Sequence, residues 1–158
     1  MNASDVRRRH RAALVSRIET LGAGAEAARQ GTRVDGDHRP SSRGERGAVT
    51  SQAALQAGLA SRSEEVRAAL QLLDGLPVVQ RVRVGAGALV RIDEGGAASW
   101  VAVFPGGAGD VLDTPGGEVT VVSPTSPVAR ALSGLEEGDE AVLRLPGRVR
   151  LLEVLDVR

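Results

Sequence analysis

Three carboxylates in one polar segment have the clearest chemical potential in this 158-residue sequence. Asp35, Asp37 and Glu45 all lie between Gly31 and Gly47, in a stretch rich in glycine and arginine. Carboxylates held a few ångströms apart can bind Mg²⁺ and leave open positions for a phosphate or a nucleophilic water. The three residues are therefore candidate metal ligands, and a solvated loop of mixed charge is the alternative interpretation.

The two histidines are weaker candidates for a site. His10 and His38 could share a metal only if they converged, and a helical hairpin would hold one near its base and the other at its tip. The chain has no cysteine, which excludes disulfides and thiolate metal sites. Because His38 lies in a glycine-rich loop with nothing to orient it, no hydrolase triad is apparent. We therefore expect a protein that is not an enzyme in its own right.

Two amphipathic segments flank this loop. Between Asp5 and about Gln30 the apolar residues are spaced alternately by 4 and 3 positions, and a second stripe runs from about Ala48 to Leu73. The stripe positions are Leu14, Ile18, Leu21, Ala25 and Ala28, then Leu55, Leu59, Arg62, Val66, Ala69 and Leu73. Since neither narrow stripe is stable alone in water, the sequence predicts an antiparallel coiled-coil hairpin over about residues 5–74.

The hydrophobic period changes to two after Gly75 and Pro77, which end the second helix. Short apolar runs between glycine-rich turns predict strands at 78–84, 88–93, 99–104, 118–122, 141–145 and 149–157. Ser126 and Pro127 predict the N-cap and first residue of one short helix. The fold class is therefore α+β, with a hairpin domain at 1–76 and an antiparallel sheet with one helix at 77–158.

The stretch Ser123–Gly134, followed by Gly138-Asp139, resembles the C-terminal signature of the Gre transcript cleavage and elongation factors. That signature reads roughly Ser-x-x-Ser-Pro, a small or aliphatic pair, then x-Ala-Leu and Gly, with Gly-Asp a few residues on. Ser133 departs from it, because the family usually has an aliphatic residue there. The resemblance implies the fold of FKBP-type prolyl isomerases for residues 77–158. Arg43-Gly44-Glu45 resembles the tip of small Gre-like proteins, and the predicted hairpin is shorter than that of GreA or GreB.

The same resemblance implies a function and a partner. Gre factors act at the secondary channel of RNA polymerase and modulate elongation, so nucleic acid would be met only indirectly, within the elongation complex. The implied polymerase-binding residues are Ser126, Pro127, Gly138 and Asp139. In Gre factors an Asp and a Glu three positions apart at the hairpin tip bring a Mg²⁺ ion to the polymerase's active site. Here Asp35, Asp37 and Glu45 would take that part, with no cofactor of the chain's own.

The loop nevertheless contains no Asp-x-x-Glu, since His38 and Pro40 stand three positions after Asp35 and Asp37. Stimulation of RNA cleavage and simple occlusion of the channel therefore both stay open. A third reading is a coiled-coil scaffold, in which Arg62 at a stripe position would favour an acidic partner. Insertion into a channel predicts a monomer, whereas a stable dimer through the hairpin would argue against it.

The amino-acid composition argues against several other classes of protein. The 20 basic and 20 acidic residues balance, which does not suit a dedicated duplex-binding protein. One tryptophan, one phenylalanine and no tyrosine disfavour both base stacking and the aromatic pocket of a prolyl isomerase. No run approaches the length of a membrane span, and the charged N-terminus is not followed by an apolar segment. We expect a soluble, cytoplasmic bacterial protein.

Overall fold

The computed structural model describes the backbone of residues 1–31 and 43–158, and the side chains of 1–30, 50–51 and 53–158. Two long helices precede a six-stranded sheet that carries one short helix. The elements are α1 (Ala3–Gly31), α2 (Arg43–Gly75), β1 (Leu89–Glu94), β2 (Ala97–Val103), β3 (Val111–Thr114), β4 (Gly117–Val122), α3 (Pro127–Leu132), β5 (Glu140–Leu145) and β6 (Arg148–Val157). Within these ranges no helix is long and apolar enough to cross a membrane.

Helix α1 continues without a break through Gly22 and Gly24. Its predicted stripe is confirmed, because Leu14 is buried and the other four members are half-buried. A Cβ added at Gly24 would lie 3.7 Å from Cδ1 of Leu59, so α1 and α2 approach each other closely there. Nearer the N-terminus the inward positions recur every fourth residue, and Val6 and His10 are completely buried there.

The predicted stripe of α2 is wrong at two positions. Arg62 and Leu55 are exposed, whereas Ser63 is 5% exposed. The inward positions are Leu59, Ser63, Val66, Leu70 and Leu73, which keep the alternating 4 and 3 spacing but omit Arg62. Burying a small hydroxyl costs less than burying a guanidinium group, so the helix turns Ser63 inward.

The sheet has the strand order β3-β4-β2-β1-β6-β5. Three local hairpins, β1–β2, β3–β4 and β5–β6, supply the antiparallel pairs, and β1 pairs with β6 across the middle. One pair departs from the predicted antiparallel sheet, because β2 and β4 run parallel. The reason is that β3 is the edge strand next to β4 and runs opposite to β2. The chain then turns back from β3 into β4, which gives β4 the same direction as β2.

One predicted strand is wrong and one was missed. Residues 78–83 belong to no ladder and bend at Val82 and Arg83, and in the described part of the chain only Val84 of this segment forms backbone hydrogen bonds, with Gly134 and Leu135. Valine-rich alternation gives strand propensity, but a strand also needs a neighbour. Strand β3 was missed because it has only four residues, of which Val111 and Leu112 alone are large and apolar.

Packing divides the described chain into two units, residues 1–13 with 69–158, and residues 14–68. In the first unit α3 buries Ala129 and Leu132 against one face of the sheet, which we call the inner face. Phe104 contacts the N-terminal part of α1, where it stacks on His10. The boundary predicted between 76 and 77 thus lies inside one packed unit, and the division into domains 1–76 and 77–158 stays a prediction.

Candidate partner-binding surface

The Ser-Pro signature forms the start of α3. Ser126 has φ −66° and ψ 154°, and its Oγ accepts a hydrogen bond from the backbone N–H of Ala129 at 3.2 Å. Pro127 occupies the first helical turn, where its missing N–H would have had no helical partner. Because the hydroxyl of Ser126 is used within the helix, the exposed ring of Pro127 is the part of this pair that a partner could touch.

The Gly-Asp pair closes a tight turn before β5. The Asp139 carboxylate accepts a hydrogen bond from the N–H of Glu136 at 2.8 Å. Gly138 has φ +89°, a conformation that favours glycine, and its N–H donates to the carbonyl of Val154. These two residues are exposed, yet their hydrogen bonds already give them a structural role.

The side chain of Arg83, in the segment that precedes β1, attaches that segment to the turn after α3. Arg83 donates a hydrogen bond to the carbonyl of Gly134 at 3.2 Å and forms an ion pair with Glu136 at 2.5 Å. Two backbone bonds join Val84 to Gly134 and Leu135. The turn after α3 is therefore held both by the side chain of Arg83 and by the backbone of Val84. Because α3 packs against β5, the four predicted binding residues lie in one part of the domain.

The outward face of the β5–β6 hairpin carries an apolar patch that sequence reasoning missed. Val142 is paired directly with Leu151, and Val149 follows two positions along on the same face. Their exposed fractions are 51%, 56% and 64%. The alternate residues Leu143 and Leu152 are buried on the inner face. The sequence did contain a signal for this patch, because strands β5 and β6 carry apolar residues on both faces. An apolar outward face favours a partner that covers it.

The ends of the long helices are tied to each other by arginines. Arg7 on α1 donates to the backbone carbonyls of Leu73 at 2.5 Å and Leu76 at 2.8 Å, which satisfies orphan acceptors at the end of α2. Arg11 forms a two-nitrogen pair with the Asp74 carboxylate, at 2.9 and 3.2 Å. The hydrogen bond from Arg11 lowers the pKa of Asp74 below its usual value, and the same bond raises the pKa of Arg11.

His10 joins α1 to the loop after β2. Its ring stacks on Phe104 with centroids 5.5 Å apart, and Nε2 lies 3.0 Å from the carbonyl oxygen of Pro105. Because a carbonyl only accepts, that nitrogen is the donor. Gly107 adjoins the ring so closely that an added Cβ would lie 2.8 Å from Cε1 of His10 and 2.5 Å from the Asp110 carboxylate. The arrangement is an anchor between elements, and it was not apparent from the sequence.

Residues 111–158, from β3 to the end of β6, match the family model described as "Transcription elongation factor, GreA/GreB, C-term". The chain carries a GreA/GreB-family C-terminal domain. The matched range includes Ser126, Pro127, Gly138 and Asp139, and so the resemblance first seen in the Ser-Pro signature is confirmed.

A curated relative supports the same assignment. Over 38 residues the chain is 55% identical to the transcription elongation factor GreA of Halorhodospira halophila (strain DSM 244 / SL1). The matched part is 24% of this chain and 24% of that protein, so the match spans about a quarter of the relative's length.

Two solved structures are similar over most of the chain. The GreA factor homolog 1 (Gfh1) of Thermus thermophilus is 19% identical, with 94% of each chain covered and a TM-score of 0.38. Gfh1 of Thermus aquaticus is 17% identical, with 92% of this chain and 91% of that chain covered and a TM-score of 0.39. At these TM-scores the two likenesses add nothing to the assignment of the Gre domain.

The candidate metal ligands of the hairpin are not brought together by any described geometry. Asp35, Asp37 and His38 lie outside the described residues, and Glu45 lies in α2 where its side chain is not described. Among the side chains that are described, no group of three His, Cys, Asp or Glu residues could hold a metal ion. The Mg²⁺ hypothesis therefore rests on the sequence.

Proposed function

We propose that this protein binds RNA polymerase and modulates transcription elongation, as a factor without a catalytic site of its own. The observation that carries the proposal is the Gre-family match over residues 111–158, which includes the complete Ser-Pro helix and the Gly-Asp turn. The match to Gre factors points to RNA polymerase as the partner, and the exposed apolar side chains of the Gre domain offer a surface with which to bind it.

Within the Gre domain, the patch formed by Val142, Val149 and Leu151 is the surface that we infer contacts the polymerase. Three adjacent aliphatic side chains, each more than half exposed, are costly to leave in water and favour a protein partner. The hydroxyl of Ser126 and the carboxylate of Asp139 already have internal hydrogen-bond partners. Their effect on binding is therefore indirect, through the shape of the helix and the turn.

The hairpin would then enter the secondary channel. In one form of the proposal Asp35, Asp37 and Glu45 at its tip help to hold a Mg²⁺ ion at the polymerase active site, so that backtracked RNA is cut. The absence of any Asp-x-x-Glu in the segment 31–47 favours the other form, in which the hairpin occupies the channel without stimulating cleavage. Both forms need binding, and only the first needs the carboxylates.

Binding is tested first, by co-sedimentation of the full chain with its cognate polymerase. Leu151→Asp places a charge in the patch and should weaken binding at least about tenfold, which corresponds to about 1.4 kcal/mol. Val111→Asp is the matched control, because Val111 on β3 is 54% exposed and Leu151 is 56% exposed. Equal losses in the two variants would contradict the patch, and no binding by the wild type would contradict the proposal.

Cleavage is tested in a stalled, backtracked elongation complex. Stimulation that disappears in Asp35→Ala/Asp37→Ala or Glu45→Ala while binding persists would assign the tip carboxylates to metal-dependent cleavage. Glu19→Ala is the matched control, since it removes an exposed carboxylate elsewhere on the hairpin. Binding without any stimulation would identify a channel competitor. Failure to bind would leave the scaffold reading, in which the Gre domain serves another purpose.

A further inference from the structure

Within the described residues, strand β5 is an edge of the sheet, and its pairing leaves a regular row of backbone groups without partners there. The N–H of Val154 donates to the carbonyl of Asp139, which fixes the phase of the β5–β6 ladder. In an antiparallel ladder alternate residues bond to the neighbouring strand. The backbone groups of Glu140, Val142 and Arg144 therefore point away from β6, toward the open edge.

This edge lacks three of the devices that keep edge strands from pairing with another chain, namely proline, bulges and very short length. A fourth device, charged side chains, is present as Glu140 and Arg144, but their opposite signs suit a partner strand that presents the same two residues in reverse order. Strand β5 has six residues, contains no proline, and pairs with β6 in unbroken register from Glu140 to Leu145. The opposite edge, β3, has only four residues and is therefore much less able to accept a partner strand.

We propose that β5 pairs antiparallel with β5 of a second copy of this chain, about a two-fold axis through Val142. That register joins all the outward backbone groups of the three residues, because Val142 meets its own counterpart and Glu140 meets Arg144 of the second copy. It also places a carboxylate beside a guanidinium group at both ends of the interface. A two-fold contact must be self-complementary in this way.

The side chains of the monomer support the same register. Glu140 and Glu153 stand directly opposite each other on the outward face, an arrangement of like charges that destabilises a strand pair. Within the described residues neither Glu140 nor Arg144 forms an ion pair. In the dimer each Glu140 acquires an Arg144, which offsets that repulsion. The two apolar patches also become one strip across the joined sheets.

The test is the oligomeric state of the full chain, by sedimentation velocity over a concentration series. The wild type should form a concentration-dependent dimer. Glu140→Arg and Arg144→Glu each place like charges at both ends of the interface, so each should raise the dimer dissociation constant about tenfold or more. The combined Glu140→Arg/Arg144→Glu variant restores opposite charges and should dimerise within about threefold of the wild type.

Two further variants separate the edge from general effects. Val142→Pro removes an outward N–H that β6 does not use, so it should abolish the dimer while the circular dichroism of the fold persists. Asp113→Arg makes the same charge change on an exposed residue of β3 and should leave the dimer unchanged. A wild type that stays monomeric at every concentration overturns the proposal, as does a double variant that fails to recover. Either outcome is scored without polymerase. Because insertion into the channel predicts a monomer, the dimer would dissociate before the chain binds polymerase.

Discussion

At the scale of single residues, the ion pair between Arg11 and Asp74 links stability to pH. The hydrogen bond from Arg11 favours the ionised form of Asp74, so its pKa in the folded chain lies below the unfolded value of 3.8. A carboxyl with a lowered pKa contributes stability that is fully present above the unfolded pKa. That contribution is lost as the pH falls through the folded pKa.

We therefore expect Arg11→Ala to be less stable than the wild type near neutral pH, with a difference that shrinks below about pH 4. Urea denaturation at a series of pH values measures the free energies of unfolding. Arg91→Ala, which removes another exposed arginine, is the control and should show no such convergence. A difference that stays constant down to pH 2 would contradict the assigned role of Asp74.

The capping hydroxyl gives a second prediction at this scale. Ser126→Ala removes the acceptor for the N–H of Ala129 and should lower the free energy of unfolding by about 1 kcal/mol. Ser133→Ala, at the other end of α3, is the control and should change it by less than about 0.5 kcal/mol. Chemical denaturation measures both. If Ser126→Ala were neutral for stability but weakened polymerase binding, the residue would be a direct contact after all.

At the scale of elements, the inward face of α2 is decided by Ser63 and Arg62. The Oγ of Ser63 is buried and has no hydrogen-bond partner in the described part of the chain. Ser63→Ala removes that unpaired group and should be neutral or raise the free energy of unfolding by up to about 1 kcal/mol. Arg62→Ala should change it by less than about 0.5 kcal/mol. Thermal unfolding measures both changes in stability. If the predicted stripe were correct, with Arg62 facing inward, Arg62→Ala would change the stability more than Ser63→Ala.

The elements also show what the sequence could predict. Hydrophobic periods of 3.6 and 2 located both long helices and five of the six strands, because those patterns follow from local geometry. The same valine alternation gave a false strand at 78–84, since no local feature says whether a neighbouring strand exists. The parallel pairing of β2 with β4 could not be predicted either. It depends on β3, whose four residues are too few to form a recognisable hydrophobic pattern.

The candidate site likewise contains residues that could be predicted from the sequence and residues that could not. Ser126, Pro127, Gly138 and Asp139 were identified because capping and tight turns have local sequence signatures. The patch around Leu151 was missed, since which face of a strand is covered depends on tertiary packing. The anchor formed by His10 and Phe104 joins residues 94 positions apart, and no spacing rule connects them.

At the scale of the whole molecule, the ends of the long helices belong to the same packed unit as the sheet. Val6, His10 and Leu73 are completely buried within it. A fragment of residues 77–158 loses this cover and should unfold with a free energy at least about 3 kcal/mol lower than the full chain. Chemical denaturation measures the difference. A fragment as stable as the full chain would establish 76/77 as a boundary of independent folding.

The position of β6 has a consequence for folding during synthesis. Hairpins β1–β2 and β3–β4 join neighbouring segments and can form as soon as they leave the ribosome. Strand β6 lies between β1 and β5, although it is the last of the six strands to be translated. Until Val157 has emerged, β1 keeps an open edge beside an unfinished core. The nascent chain is therefore exposed to mispairing at the edge of β1 until β6 has been translated.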